Sequence, residues 1–173
     1  MSRTLPLLAP MLALLLLIVT SPAPAAESPP VATEASGITV FLPNRASVRI
    51  TPEKLASMPR VSRVVMLRDA GHLFEGVDLR ELLKAAGVDE IDGMRGASLR
   101  RVIVAEGADG YRVAYAFGEL DPSIGDKLVI VSNRQDDAPL PSEDGPWRLI
   151  VPTDKRNARG VRKLVKLTVT ELP

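Results

Sequence analysis

The only histidine of the chain, His72, limits the enzymes that this sequence could encode. A Ser-His-Asp triad would have to use His72 as its base, and the sequence contains no Gly-x-Ser-x-Gly motif to present a nucleophilic serine. His72 follows Gly71 at the start of a predicted strand, which is commonly a solvent-facing turn position. We therefore interpret His72 as a surface residue rather than a catalytic one.

Two other sets of residues could carry chemistry, and both have a structural explanation. Glu106 and Asp109 could act as acid and base, but they flank a predicted hairpin turn that requires polar residues anyway. Three methionines could bind Cu(I) through their soft sulfur atoms, namely Met58, Met66 and Met94. They show no short ligand spacing, so we expect them to fill the core.

The segment between Arg148 and Lys166 is strongly basic. It contains one acid, Asp154, and the following cations: Arg148, Lys155, Arg156, Arg159, Arg162, Lys163 and Lys166. Arginine and lysine donors suit an anion such as phosphate. The alternative is a solvated strand face, balanced by an acidic loop that contains Asp136, Asp137, Glu143 and Asp144. Charge alone leaves both interpretations open.

Composition excludes several classes of function. The 173 residues include no cysteine, which excludes disulfides, zinc–thiolate sites, iron–sulfur clusters and cysteine nucleophiles. The formal net charge is +1, and cleavage of a leader that contains Arg3 would leave zero. A general nucleic-acid-binding domain would show a basic excess instead. Aromatic residues make up 3% of the chain, so we expect no stacking platform for bases or sugars.

Residues 1–26 are predicted to be a secretory signal peptide. Arg3 precedes the apolar stretch Leu5–Val19, and the small residues of Ser21–Ala26 follow it as a cleavage region. The stretch is broken by prolines and is shorter than the roughly 20 residues of a spanning helix, although an uncleaved anchor is the alternative. We expect a flexible linker at residues 27–36 and one domain at residues 37–173. The mature protein is expected in the periplasm or secreted, with no stable membrane span.

Strands dominate the predicted elements, and the helices are short. Strands are predicted at Ile38–Leu42, Ala46–Ile50, Val61–Arg68, His72–Glu75, Lys127–Asn133 and Trp147–Val151, with a hairpin around Gly107–Gly110 and a last strand through Val165, Leu167 and Val169. Helices are predicted after Thr51 and at Leu79–Ala86, where Asp78 and Glu81 would form a capping box. This pattern indicates an α+β domain with a mixed β-sheet.

An ordered set of motifs runs through most of the chain between Thr51 and Val169. The motifs are Phe74–Leu79, Leu82-Leu83, Ala86-Gly87, Ala108–Tyr111, Glu119–Asp121, Ala138–Pro141, Gly145-Pro146, Arg148–Pro152 and Ala158–Arg162. This set resembles the molybdopterin-binding domain of sulfite oxidase-type oxidoreductases. The resemblance implies the mixed α+β fold of that domain. It also implies that late basic residues hold the phosphate and the pterin of the cofactor.

The resemblance implies cofactor contacts at Arg148, Arg159 and Arg162, and we include Lys155 from the same basic segment as a candidate. Two features depart from the family pattern. Its redox enzymes bind molybdenum through a cysteine thiolate, which this sequence lacks. Asp144 stands where the family often has a histidine, and we expect its carboxylate to repel a phosphate.

The sequence therefore predicts an exported molybdopterin-binding-domain-like protein without a molybdenum redox centre. We expect it to bind an anionic small molecule or a periplasmic protein partner, with no catalytic residue, no metal ligand and no cofactor. The resemblance leaves molybdopterin open as a cofactor. Two alternatives remain: a molybdopterin-dependent oxidoreductase with an atypical metal ligand, and an accessory subunit of a redox or membrane complex.

Overall fold

The computed structural model describes residues 37–44, 46–88 and 91–173. The predicted signal peptide and linker lie outside the described residues. Within the described part of the chain, ten strands form two five-stranded sheets. The strands are β1 (Ile38–Phe41), β2 (Ser47–Ile50), β3 (Arg60–Leu67), β4 (Ala70–Asp78), β5 (Arg101–Gly107), β6 (Arg112–Ala116), β7 (Ile130–Gln135), β8 (Ala138–Pro139), β9 (Arg148–Ile150) and β10 (Leu164–Glu171). The helices are α1 (Pro52–Ala56), α2 (Leu79–Ala85) and α3 (Phe117–Leu120), with 3-10 turns at Gly96–Arg100 and Asn157–Arg159.

The first sheet has the strand order β2-β1-β10-β5-β6. Its neighbours pair antiparallel except β1 and β10, which run parallel, so the sheet is mixed. The parallel pair joins the beginning and the end of the domain in the middle of one sheet. The final strand therefore holds the sheet together across a large sequence separation.

The second sheet has the order β3-β4-β7-β8, and β9 also pairs with β7. Gly76 lies at an irregularity in the pairing of β4 with β7. A Cβ atom at Gly76 would lie 2.2 Å from the carbonyl oxygen of Val131, so only glycine permits this close approach. The second sheet matters for function because β4, β7 and β9 carry the candidate site.

One main hydrophobic core lies between the two sheets and α2. It takes Ile103 and Leu167 from the first sheet, Val131 and Leu149 from the second, and Leu82 from the helix. A smaller cluster packs on the opposite face of the second sheet and consists of Val65, Phe74, Ile130 and Ile150. Successive strand residues such as Leu149 and Ile150 thus serve different clusters, because side chains alternate between the faces of a strand.

The predicted fold class, an α+β domain with mixed pairing and few short helices, is confirmed. Thr51 caps α1 through a bond from the Lys54 amide, as predicted. At α2 only half of the predicted capping box forms. Asp78 accepts from the Arg80 amide, whereas the Glu81 side chain lies 3.4 Å from the ammonium of Lys84. Glu81 therefore supports the helix through an ion pair one turn further along.

The last strand departs from its predicted alternation at Val165. The register between β10 and β5 shifts between Leu164 and Lys166. Leu164 is consequently buried and Val165 is 38% exposed, while Leu167 and Val169 face the core as expected. A bulge of this kind inserts one residue and reverses the face on which the preceding side chains lie.

Candidate anion-binding site

A cleft of about 690 Å³ opens beside the second sheet. One wall comes from the hairpin of β3 and β4, and the other from the loops around β9 and the Asn157–Arg159 turn. Five cationic side chains line the cleft, and they are Arg68, Arg148, Lys155, Arg156 and Arg162. Two acidic side chains share the lining, Glu143 and Asp144. The cleft therefore has an excess of positive charge in a chain whose net charge is only +1.

A buried ion pair between Arg148 and Asp144 helps to form the cleft. Arg148 is 3% exposed and Asp144 is 7% exposed. The Nη1 of Arg148 donates to one oxygen of Asp144, and the Nε of Arg162 lies 2.9 Å from the other. The carboxylate thus faces two guanidinium groups, which changes our expectation that Asp144 would simply repel a phosphate.

The surroundings of Arg148 combine an aromatic ring with an unused donor. Its guanidinium carbon lies 5.4 Å from the centre of the Phe74 ring, a distance at which a cation and a ring attract. Burial lowers the pKa of Arg148 below its ordinary value, and Asp144 acts in the opposite direction. Its Nε is buried without a hydrogen-bond partner, and so are the Oδ1 atoms of Asp144 and Asn157 in the same lining. Buried polar atoms are normally satisfied, so these three mark a part of the lining whose hydrogen bonding is incomplete.

Arg159 lies outside the cleft and belongs to a separate ion-pair network. Its guanidinium donates to Asp154 at 2.7 and 2.8 Å and to Glu119 at 2.9 Å. The hydrogen bond from Arg159 lowers the pKa of Asp154 and in turn raises the pKa of Arg159. The guanidinium also lies 5.2 Å from the centre of the Tyr115 ring, and the Tyr115 hydroxyl donates to the Arg159 carbonyl. These contacts fix the loop that presents Lys155 and Arg156.

Of the four predicted cofactor-binding residues, the structure brings three together. Arg148, Lys155 and Arg162 line the same cleft, and Arg159 does not. Arg68 and Arg156 line it as well, although the sequence analysis did not select them. Arg156 was visible as part of the basic segment. Arg68 gave no such signal, because it lies in the turn after β3, far from the basic segment in sequence.

His72, which we interpreted as a surface residue at a strand start, also lines the cleft. It lies within β4, and its side chain is 30% exposed. Its Nδ1 lies 2.7 Å from the Oδ2 of Asp136, and the other oxygen of Asp136 accepts from the Leu73 amide at 2.8 Å. The hydrogen bond with His72, followed by that from Leu73, lowers the pKa of Asp136. The strand pairing that joins His72 to Asp136 could not be read from sequence spacing.

The other sequence candidates have structural partners. Glu106 pairs with Arg112 at 2.7 Å and with Lys166 at 2.8 Å, and Asp109 accepts from the Tyr111 amide in the hairpin turn. Within the described residues, no cluster of three histidine, aspartate or glutamate side chains could hold a metal ion.

The expectation that the three methionines fill the core is correct for two of them. Met58 and Met94 are buried, whereas Met66 is 65% exposed. Met66 lines the cleft at the end of β3. The error arises because Met66, like Val64, lies on the face of β3 opposite to Val65, and Val65 is the residue that packs in the smaller cluster.

Comparison with known proteins identifies the family. The chain belongs to the oxidoreductase molybdopterin binding domain family, whose model matches residues 28–173. The chain is also similar in structure to the sulfane dehydrogenase SoxCD from Paracoccus pantotrophus, with a TM-score of 0.62 and 18% sequence identity. That similarity covers 82% of this chain and 40% of the SoxCD chain, and at this identity it shows the fold alone. No curated protein matches the sequence significantly.

The predicted resemblance to the sulfite oxidase-type molybdopterin-binding domain is therefore confirmed. None of the helices within residues 37–44, 46–88 and 91–173 has the length and hydrophobicity of a membrane span.

Proposed function

We propose that this protein binds an anionic ligand of the phosphate class in the cleft beside the second sheet. One observation carries the proposal. Arg68, Lys155 and Arg156 line the same cleft, and none of them forms an ion pair with another described residue. Guanidinium groups bind phosphate oxygens through paired donors, and lysine adds a point charge. Three cations without an ion pair face one such carboxylate, Glu143, in the same concave site, and this balance suits a ligand with about two negative charges.

The buried part of the cleft supports the same proposal. Below its surface the lining holds a donor without a hydrogen-bond partner, the Nε of Arg148, and two acceptors without one, the Oδ1 atoms of Asn157 and Asp144. Asp144 opposes an anion less than an isolated carboxylate would, because Arg148 and Arg162 compensate its charge. A ligand that carries both an anionic group and a hydrogen-bond donor would therefore use more of the cleft than a simple anion.

The residues of the cleft fit one part of molybdopterin. Arg68, Lys155 and Arg156 would hold its phosphate, and Asn157 could accept from an N–H group of the pterin. A molybdenum ion on the pterin would supply two-electron redox chemistry in the enzymes of this fold. The 173 residues contain no cysteine to provide the thiolate that such a metal uses. The fit therefore extends to the phosphate and the pterin but not to the metal.

We propose accordingly that the chain works without a molybdenum redox centre. A hydroxyl or carboxylate does not replace a soft anionic sulfur, because ligand softness sets the electronic properties of the metal. Elemental analysis of protein purified from its own periplasm is expected to show no stoichiometric molybdenum, and sulfite and sulfoxide assays no turnover. One molybdenum per chain that persists through gel filtration would instead favour the oxidoreductase with an atypical ligand.

Ligand binding is tested by calorimetry and thermal shift with pyrophosphate on the mature chain. Arg156→Ala is expected to weaken binding roughly tenfold, the effect of losing one charge-assisted hydrogen bond at a partly screened site. Arg63→Ala is the matched control, because Arg63 is an exposed arginine of β3 that does not line the cleft. Binding that is absent in the wild type, or equally weakened by both substitutions, would contradict an anion site in this cleft.

Export to the periplasm is part of the proposed function. The positive start, apolar stretch and small residues of 1–26 support cleavage after Ala25 or Ala26. Intact-mass measurement of the exported protein is expected to give a chain that begins at Ala26 or Glu27. A chain that keeps residues 1–25 and fractionates with membranes would show an anchor instead.

A second candidate function is docking of a protein partner on the edge strand β3. Val64 and Met66 are 64% and 65% exposed on this strand, whose only sheet neighbour among the described residues is β4. A free edge presents backbone groups that can pair with an added strand. Arg63 and Arg68 favour an extended acidic segment of the partner. A partner retained by Arg156→Ala but lost from Val64→Glu would support this candidate, and the reverse pattern would place the partner in the cleft.

A further inference from the structure

The His72–Asp136 pair is a built feature of the cleft that anion binding by arginine and lysine does not require. Asp136 follows β7 and has a positive φ of 51°, a conformation that few non-glycine residues adopt. Its carboxylate bonds His72 and the Leu73 amide, and its own amide donates to the Leu73 carbonyl at 2.8 Å. Asp136 is thus fixed to β4 through its backbone amide and its side chain, and this contact orients the Nδ1 side of the His72 ring.

The hydrogen bond at Nδ1 determines what the other ring nitrogen can do. A carboxylate accepts from Nδ1–H, so in the neutral ring the Nε2 atom carries a lone pair. When the ring is protonated, Nε2–H becomes a donor instead. Among the described residues, Nε2 of His72 has no hydrogen-bond partner. Protonation therefore changes this atom from a group that repels an oxyanion to one that binds it.

The charged groups around His72 favour the binding of an anion when the His72 ring is protonated. Asp136 and Gln135 contact the ring from β7, the latter through its Nε2 at 3.1 Å from Nδ1. Arg68 lines the cleft from the turn between β3 and β4, and Arg148 lines it from β9. The remaining charged groups of the lining come from loops, namely Glu143, Asp144, Lys155, Arg156 and Arg162. Among the described residues, no hydrogen bond or ion pair joins a lysine or arginine to the ring.

We propose that His72, oriented by Asp136, is a ligand-binding residue for a divalent oxyanion and makes the affinity of the cleft depend on pH. The inference rests on the proposed function, because it requires an anion in this cleft. Binding is expected to be tighter at pH 5.5, where an ordinary histidine is protonated, and weaker at pH 8. The expected change in the dissociation constant is about fivefold to tenfold, the range for one partly exposed charge-assisted hydrogen bond.

Sulfate is the appropriate probe, because its charge does not change between pH 5.5 and 8. Since the chain has one histidine, no other side chain ordinarily titrates in this interval. Calorimetry at constant ionic strength is expected to show the change in wild-type protein. His72→Gln is expected to bind with one weak affinity at both pH values, close to that of the wild type at pH 8. Asp136→Asn is expected to reduce the pH dependence, because the amide no longer fixes the Nδ1–H tautomer.

A second readout uses the nuclear magnetic resonance of the single imidazole. Saturating sulfate is expected to move the pH midpoint of its resonances upward, because an anion at Nε2 favours the protonated ring. This measurement needs no substitution and remains valid if His72→Gln folds poorly.

Two failures are distinguishable. If the wild type binds sulfate equally at pH 5.5 and 8 and the imidazole midpoint does not move, the role of His72 is overturned while the anion cleft stands. If the wild type binds no sulfate at either pH, and no pyrophosphate either, both the inference and the proposed function are overturned.

Discussion

Two neighbouring arginines, Arg156 and Arg159, show how the role of a cation depends on its partners. Arg159 is held by Asp154 and Glu119, and Lys127 reinforces both carboxylates from 3.7 and 3.0 Å. Arg156 has no ion-pair partner among the described residues and lines the cleft. We therefore assign Arg159 to the stability of the loop and Arg156 to ligand binding, although both belong to one basic segment.

Substitution of these two arginines is expected to give opposite results. Arg159→Ala removes bidentate contacts to partly buried carboxylates and a contact with the Tyr115 ring, so it should lower the free energy of unfolding by roughly 1–3 kcal/mol. Arg156→Ala should change it by less than about 0.5 kcal/mol. Pyrophosphate binding should be weakened by Arg156→Ala and little affected by Arg159→Ala. Urea unfolding and calorimetry on both variants check the expectation.

The sequence alone predicts the opposite for Arg159, which resembles a cofactor-binding position of the family. Weakened pyrophosphate binding by Arg159→Ala at unchanged stability would support that sequence-based prediction. The basic segment itself could be predicted because its charges are consecutive in the chain. Their neutralisation could not, because Glu119 contacts Arg159 from 40 positions away. The pairing of His72 with Asp136, 64 positions apart, escaped prediction for the same reason.

At the scale of elements, the contact between β4 and β7 positions both the His72–Asp136 pair and the wall of the cleft. Gly76 allows β4 to approach β7 so closely that an added Cβ would lie 2.6 Å from the Cα of Ser132. Backbone atoms in a sheet cannot move away without breaking the pairing. The Ser132 hydroxyl, which donates to the Glu75 carbonyl at 2.8 Å, holds the irregularity in place.

Two glycines of the same strand provide a matched test of this close approach. Gly76→Ala is expected to lower the free energy of unfolding by about 3 kcal/mol, because overpacking against backbone cannot relax. At Gly71 an added Cβ would meet only side-chain atoms of Val64 and Met66 at 3.3 and 3.4 Å. Gly71→Ala should therefore change the free energy by less than about 0.5 kcal/mol. Equal effects of the two substitutions in urea unfolding would contradict the role of Gly76.

Asp121 connects two irregular segments and gives stability a defined pH dependence. It is buried at the end of α3, and its carboxylate accepts from the Ser123 hydroxyl and amide at 2.7 Å and from the Met94 amide at 2.6 Å. Hydrogen bonds from the Ser123 hydroxyl, then from the Met94 amide, lower the pKa of Asp121 to about 2. An unfolded aspartate titrates near 3.9.

Because the folded pKa is the lower one, the contribution of Asp121 is fully present above about pH 4 and is lost as the pH falls towards 2. The difference in unfolding free energy between the wild type and Asp121→Asn should therefore be constant above about pH 4 and shrink below it. Thermal or urea unfolding at several pH values measures this difference. Subtracting the two free energies cancels the contributions of the other carboxylates, which both proteins share. A difference that stays constant down to pH 2 would contradict the assignment.

Elements that depend on neighbouring residues could be predicted from the sequence. Elements that depend on pairing with strands far away in sequence could not. Thr51 and Pro52 begin α1 as predicted, because capping depends on neighbouring residues. The short β8 was predicted as loop, since it exists only through its pairing with β7. The division of the strands into two sheets, and the parallel contact of β1 with β10, also depend on pairing across the whole chain. Local patterning indicated a mixed sheet but could not assign the neighbours of each strand.

At the scale of the whole molecule, the two sheets share one core. The main cluster takes residues from every strand of the first sheet, including Ile50 of β2. From the second sheet it takes residues of β4, β7 and β9. Trp147, the only tryptophan, is 5% exposed in this cluster. Its carbonyl accepts from the Leu164 amide at 2.8 Å, which links the start of β9 to the start of β10. The fluorescence of Trp147 therefore reports on the junction of the two sheets.

A shared core predicts that the sheets unfold together. Neither sheet can keep its inner face covered once the other is lost, so the described domain should unfold in one cooperative transition. Urea titration is expected to give the same midpoint by Trp147 fluorescence, which follows the junction, and by far-ultraviolet circular dichroism, which follows all strands. Gly76→Ala should move both midpoints equally, because a local defect in the second sheet is transmitted through the core. Two separate midpoints, with the fluorescence change at the lower urea concentration, would mean that the junction around Trp147 opens while the strands persist. Such a result would contradict a single cooperative unit.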